Sequence, residues 1–119
     1  MEGKRFRAES GLSKANRLVG KAAFREVTSG GRLWESNELR VYVLKGKPGP
    51  PCLGIVVRRT LGGAVERNRF KRRIREALRR RRGFTAGVWV VVVAKTGASD
   101  LTYTDITDQF DRAFGANGV

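Results

Sequence analysis

Seven consecutive apolar residues, Val88 to Ala94, constrain this chain more than any other feature. A strand sends successive side chains to opposite faces of its sheet, so an apolar strand without interruption belongs in the middle of a sheet covered on both faces. The run is far short of the roughly 20 residues that a bilayer span requires. The remainder of the chain must therefore supply cover for two faces.

The flanking segments carry the matching patterns. Gly20 to Thr28 places Ala23, Phe24 and Val27 at helical spacing and meets Ser29-Gly30-Gly31, a glycine stop. Arg32 to Ser36 reads as a short strand. Leu39 to Leu44 alternates, with Leu39, Val41 and Val43 on one side and Arg40, Tyr42 and Leu44 on the other. Leu53 to Arg58 repeats the alternation with Leu53, Ile55 and Val57, after a loop at Gly46 to Pro51. Ala64 to Arg80 is the main helix. At about 100° per residue, Phe70, Ile74, Ala77 and Leu78 form its apolar stripe, and Asn68, Arg72, Arg75 and Arg79 lie opposite. Arg81 rotates back to the apolar side, so the helix should leave the core there. Thr104 or Asp105 is expected to cap a last helix with the stripe Ile106, Phe110, Ala113 and Phe114. The order predicts an α/β sandwich with one mixed sheet, containing a β-α-β unit whose strands are parallel if they share that sheet. Such crossovers are right-handed by default. At 119 residues the chain suits one domain. Residues 1–13 are expected to be a flexible basic arm and 14–119 the folded domain.

Charge then narrows the partner. The chain has 25 Lys and Arg against 11 Asp and Glu, a formal net charge of +14. Residues 58–82 alone hold twelve of the basic and two of the acidic side chains, whereas residues 83–119 hold two basic and four acidic. A cluster this dense repels itself, and phosphate relieves it. A helix with arginines over its outer face can present guanidinium forks to several phosphates at once. Membrane-surface binding fits poorly, because the apolar stripe is already needed for the core.

Catalytic chemistry is missing. There is no histidine, which removes a His general base, a Ser-His pair and an ordinary zinc site. Asp100, Asp105, Asp108 and Asp111 are the only local acidic group, and they read as surface charge near the start of the last helix. Gly62-Gly63 lacks the Gly-Lys-Ser/Thr continuation of a nucleotide loop and reads as a turn. The single cysteine, Cys52, makes no intrachain disulfide, and Met1 to Ser10 has no apolar stretch behind its positive charge. A soluble cytoplasmic protein with no membrane partner and no nucleotide cofactor is expected.

The segment Arg67-Asn68-Arg69-Phe70-Lys71-Arg72-Arg73-Ile74-Arg75-Glu76 resembles the signature of the bacterial ribonuclease P protein subunit. That signature reads R-N-R, one apolar residue, K-R, two residues, R. Leu53-Gly54-Ile55-Val56-Val57-Arg58-Arg59 is similar to the family's strand ending in two basic residues. Ala64 to Glu66, Val90 to Lys95 with Leu101, and Asn16-Arg17-Leu18 followed by Phe24 extend the resemblance from about Asn16 to Phe114. It implies a mixed four-stranded sheet with a left-handed β-α-β crossover, against the default hand. It implies partnership with a large catalytic RNA that holds Mg2+ and removes 5′ leaders from precursor tRNA, the protein itself holding no cofactor and being inactive alone. Carried over by position, Arg58, Arg59, Arg67, Asn68, Arg69, Lys71, Arg72, Arg75 and Lys95 would contact the RNA subunit. Phe24 and Tyr42 would contact the leader, with Arg40 beside Tyr42 on the same strand face. Thr28 stands where some members carry a second aromatic. A structural ribosomal protein of similar fold is the alternative reading.

Overall fold

The computed structural model describes residues 17, 18 and 20–116; the basic arm expected over residues 1–13, and Asn16, lie outside them. Helix α1 spans Lys21–Gly30, strands β1, β2 and β3 span Arg32–Glu35, Leu39–Leu44 and Cys52–Val56, helix α2 spans Ala64–Arg79, strand β4 spans Trp89–Ala94 and helix α3 spans Tyr103–Ala116. The strands form one sheet in the order β1-β2-β4-β3. β1 pairs antiparallel with β2, β2 antiparallel with β4, and β3 parallel with β4. The apolar run thus occupies a central position, and the β-α-β unit joins two adjacent parallel strands through α2.

Both faces of β4 are buried, as its composition requires. Val90 and Val92 join Leu39, Val41 and Leu53 against α2 and α3. Val91 turns the other way, onto Leu18 of the chain entering α1 and Val27 of α1 itself. The stripes read from the sequence are the buried ones: Phe70, Ile74, Ala77 and Leu78 of α2, and Ile106, Phe110, Ala113 and Phe114 of α3. Phe110 and Phe114 stack at a tilt with ring centroids 6.2 Å apart, an arrangement that favours ring edges over faces.

Three boundaries differ from the sequence reading by more than one residue. First, α1 continues through Gly30 and ends at Gly31, whose N–H donates to the Val27 carbonyl at 2.8 Å. A Cβ on Gly31 would lie 2.6 Å from that carbonyl oxygen and 2.9 Å from that of Val43, so close backbone approach dictates glycine there. Second, β3 ends at Val56, and Arg58 and Arg59 lead into a one-turn 3-10 helix, Arg59–Leu61. Third, the cap of α3 is Thr102, not Thr104 or Asp105. Thr102 Oγ1 accepts from the Asp105 N–H at 3.1 Å and Asp105 Oδ2 accepts from the Thr102 N–H at 3.0 Å. This reciprocal pair satisfies two donors that the helix leaves free.

Candidate nucleic-acid interface

Burying the α2 stripe forces the rest of that helix outward. Asn68, Arg69 and Arg72 are exposed, and Lys71 and Arg75 are half-buried along one flank. The opposite flank serves the fold: Arg73 Nη1 donates to the Leu101 carbonyl at 3.0 Å. Arg67 is also half-occupied, since its Nη1 donates to the Gly62 carbonyl at 2.9 Å and secures the turn before α2. At the end of the helix Arg79 and Arg80 both pair with Glu76. Arg81 pairs with Asp111 and lies over the Phe114 ring at 5.4 Å, which staples α2 to α3. Two carboxylates thus engage three of the four arginines of the terminal run, Arg79 to Arg81. By contrast, none of Arg58, Arg59, Arg69, Lys71, Arg72 and Arg75 forms an ion pair with another described residue.

A cleft of about 180 Å³ opens beside this flank. Phe24 of α1, Gly54 and Ile55 of β3, Lys71 and Arg75 of α2, and Arg17 line it. Arg17 is placed by a parallel bridge to Leu53, reinforced by the Leu18 N–H donating to the Leu53 carbonyl at 2.9 Å. Burial, and then the charges of Arg17 and Arg72, push the Arg75 guanidinium below its ordinary pKa. The cleft thus concentrates positive charge without an acid to balance it, the condition that an anion relieves. Phe24 is half-buried in the apolar cluster under α1, together with Tyr42. Tyr42 is not among the residues lining the cleft. Thr28 is exposed, and its Oγ1 donates back to the Phe24 carbonyl at 3.0 Å.

Arg40, Arg58 and Lys95 come together around a second cleft of about 370 Å³, with Thr60, Thr96 and Ser99. This juxtaposition crosses the division made in the sequence reading, where Arg40 belonged with Tyr42 and the other two with α2. Its geometry rests on Glu35, which accepts from Arg40 Nε and Lys95 Nζ, each at 2.8 Å. Those hydrogen bonds, Arg40 first, hold the Glu35 carboxyl at about 2. Lys95 Nζ also donates to the Ser36 carbonyl at 2.8 Å.

The sequence reading assigned no site role to Arg17 and Gly54. Arg17 belongs to no helix or strand of its own, and Gly54 has no side chain to flag; only their position against Phe24 marks them. Among the described residues, no group of three or more His, Cys, Asp and Glu is placed to hold a metal ion, and no helix is long and apolar enough to cross a membrane.

Fold and surface together define a single-domain α/β sandwich with an arginine-studded helix beside an apolar-floored, cation-rimmed cleft. The Ribonuclease P family model matches residues 12–117. The ribonuclease P protein component of Symbiobacterium thermophilum is 35% identical over 91% of this chain and 96% of that protein. The Staphylococcus aureus RNase P protein superposes with a TM-score of 0.74 at 29% identity, covering 87% of this chain and 95% of that one. The Thermotoga maritima RNase P protein does so with a TM-score of 0.68 at 26% identity, covering 82% and 93%. The chain belongs to the bacterial ribonuclease P protein component family.

Proposed function

We propose that this chain is the protein subunit of a bacterial ribonuclease P, acting in the cytoplasm on precursor tRNA. It binds the RNA subunit through the outer face of α2, where Asn68, Arg69 and Arg72 stand exposed, together with Arg58 and Arg59 in the turn between β3 and α2. The 5′ leader lies along the α1–β3–α2 cleft, its bases against Phe24 and its phosphates near Arg17 and near Lys71 and Arg75, which the resemblance alone gave to the RNA subunit; beyond the cleft it reaches Tyr42 on β2. The single observation that carries this reading is the surplus of cations on one flank of α2, facing an aromatic ring and left without acidic partners among the described residues. Phosphate answers the charge, and an unpaired base answers the ring.

In this reading the protein contributes no catalytic group. The RNA subunit holds Mg2+ and cleaves, and the protein raises the local affinity for a leader-bearing substrate over mature tRNA. Reconstitution with a bacterial RNase P RNA at low Mg2+ tests the proposal. The expected result is 5′ leader removal that needs both components. Specific 5′ maturation by the protein after all RNA has been removed would overturn it.

A further inference from the structure

Gly54 stands inside β3 between Leu53 and Ile55 and is itself buried. It is not among the glycines with positive φ, so no backbone conformation demands glycine there. Space does. A Cβ at residue 54 would lie 2.5 Å from Phe24 Cζ and 2.7 Å from Phe24 Cε2. Carbon atoms in contact settle at about 3.5–4.0 Å. The far edge of the Phe24 ring therefore occupies the volume that any other residue at 54 would fill. The strand cannot yield easily, because β3 is laddered to β4 from Cys52 to Val56. The ring is the mobile partner.

We propose that Gly54 is a positioning residue: its missing side chain lets the Phe24 ring settle onto the sheet, and so sets the room left for an unpaired base between that ring and the cations Arg17, Lys71 and Arg75. The inference rests on the leader-cleft reading above and adds what fixes the depth of that cleft. A single methyl at 54 lifts the ring into a space of only about 180 Å³, at the cost of the base rather than of the fold.

The test uses the reconstituted holoenzyme with wild-type protein, Gly54→Ala, Phe24→Ala and the double variant. Affinity is measured for precursor tRNA with a leader of one nucleotide and of about eight, and for the RNA subunit alone; each protein is also melted. Gly54→Ala is expected to weaken binding of the longer leader several-fold, within the roughly 5- to 150-fold that one base stack represents. The short leader and the RNA subunit should bind as before. In the Phe24→Ala background the added methyl meets no ring, so the double variant should match Phe24→Ala in affinity. A fall in melting temperature caused by Gly54→Ala should likewise vanish there. If Gly54→Ala binds the longer leader like wild type while Phe24→Ala does not, or weakens it equally in both backgrounds, the positioning role is wrong and the cleft reading stands. If Phe24→Ala itself shows no loss that depends on leader length, the cleft reading fails and takes this inference with it.

Discussion

Tyr42 and Arg40 stand two residues apart on β2, pointing to the same side of the sheet, where Tyr42 faces Leu33 across the ladder and Arg40 faces Glu35. A half-buried ring beside a cation suits a single strand better than a duplex. Tyr42→Ala in the holoenzyme should weaken precursor binding by roughly 5- to 150-fold, the worth of stacking one base. Mature tRNA and the RNA subunit should bind as before. Equal impairment of substrates with one-nucleotide and eight-nucleotide leaders would make the ring structural. Glu35 answers a different question at the same scale. Arg40 and then Lys95 lower its pKa to about 2 from an ordinary value of 4.5. A carboxyl depressed in the folded state stabilises it fully above the unfolded pKa, and that contribution disappears as pH falls through the folded pKa. The gap in urea midpoint between wild type and Glu35→Gln should therefore hold from neutral pH to about 4.5 and close toward pH 2. The pair is exposed, so the gap is small, and it should shrink further in high salt.

Helix α2 presents two chemically different flanks, and under the proposed function substitutions should sort accordingly. Arg69 and Arg72 are exposed and without an ion-pair partner among the described residues, so replacing either with alanine should cost stability by no more than about 0.5 kcal/mol. Each should flatten the dependence of log K for the RNA subunit on log salt by up to about one unit. Arg73, bonded to the Leu101 carbonyl, should behave the other way. Arg73→Ala should lower the melting temperature, because the carbonyl loses a charged donor, and should leave the salt slope almost unchanged. Arg67 falls between the two, since its bond to the Gly62 carbonyl occupies one arm of its guanidinium. Titrations at four or five salt concentrations would check the ordering; a slope unchanged in both Arg69→Ala and Arg72→Ala would place the RNA surface elsewhere.

Across the whole molecule the charges are separated by the sandwich itself. α1 covers one face of the sheet and α2 and α3 the other, with α3 packed against α2 on the flank away from the cleft. Asp105, Asp108 and Asp111 are exposed on α3. Polyanion should therefore approach from the α1–α2 side and leave α3 in solvent. Asp108→Asn is expected to change neither the affinity for the RNA subunit nor its salt slope, although it raises the net charge by one. A gain in affinity as large as the loss in Arg72→Ala would show that RNA reaches around α3.

Much of this architecture was legible before any coordinates. Val88 to Ala94 demanded a covered central strand, the spacing of Phe70, Ile74, Ala77 and Leu78 marked the inner face of α2, and the R-N-R segment named the family. These are local signals: periodicity and residue type report which side of an element avoids water, and they survive whatever the element packs against. Partnership between distant residues left no such trace. Arg69 and Arg73 look alike along the chain, yet one faces solvent and the other binds a carbonyl 28 residues away. Thr102 caps α3 through a reciprocal pair with Asp105, and Arg79, Arg80 and Arg81 were claimed by Glu76 and Asp111. Arg40, placed with Tyr42 by its strand face, and Arg58 and Lys95, given to the RNA subunit by resemblance, meet because β2 and β3 both flank β4. Gly54 is the sharpest case. Its role depends on a ring thirty positions earlier, and a residue defined by the atoms it lacks acquires meaning only when the fold brings another side chain into that space.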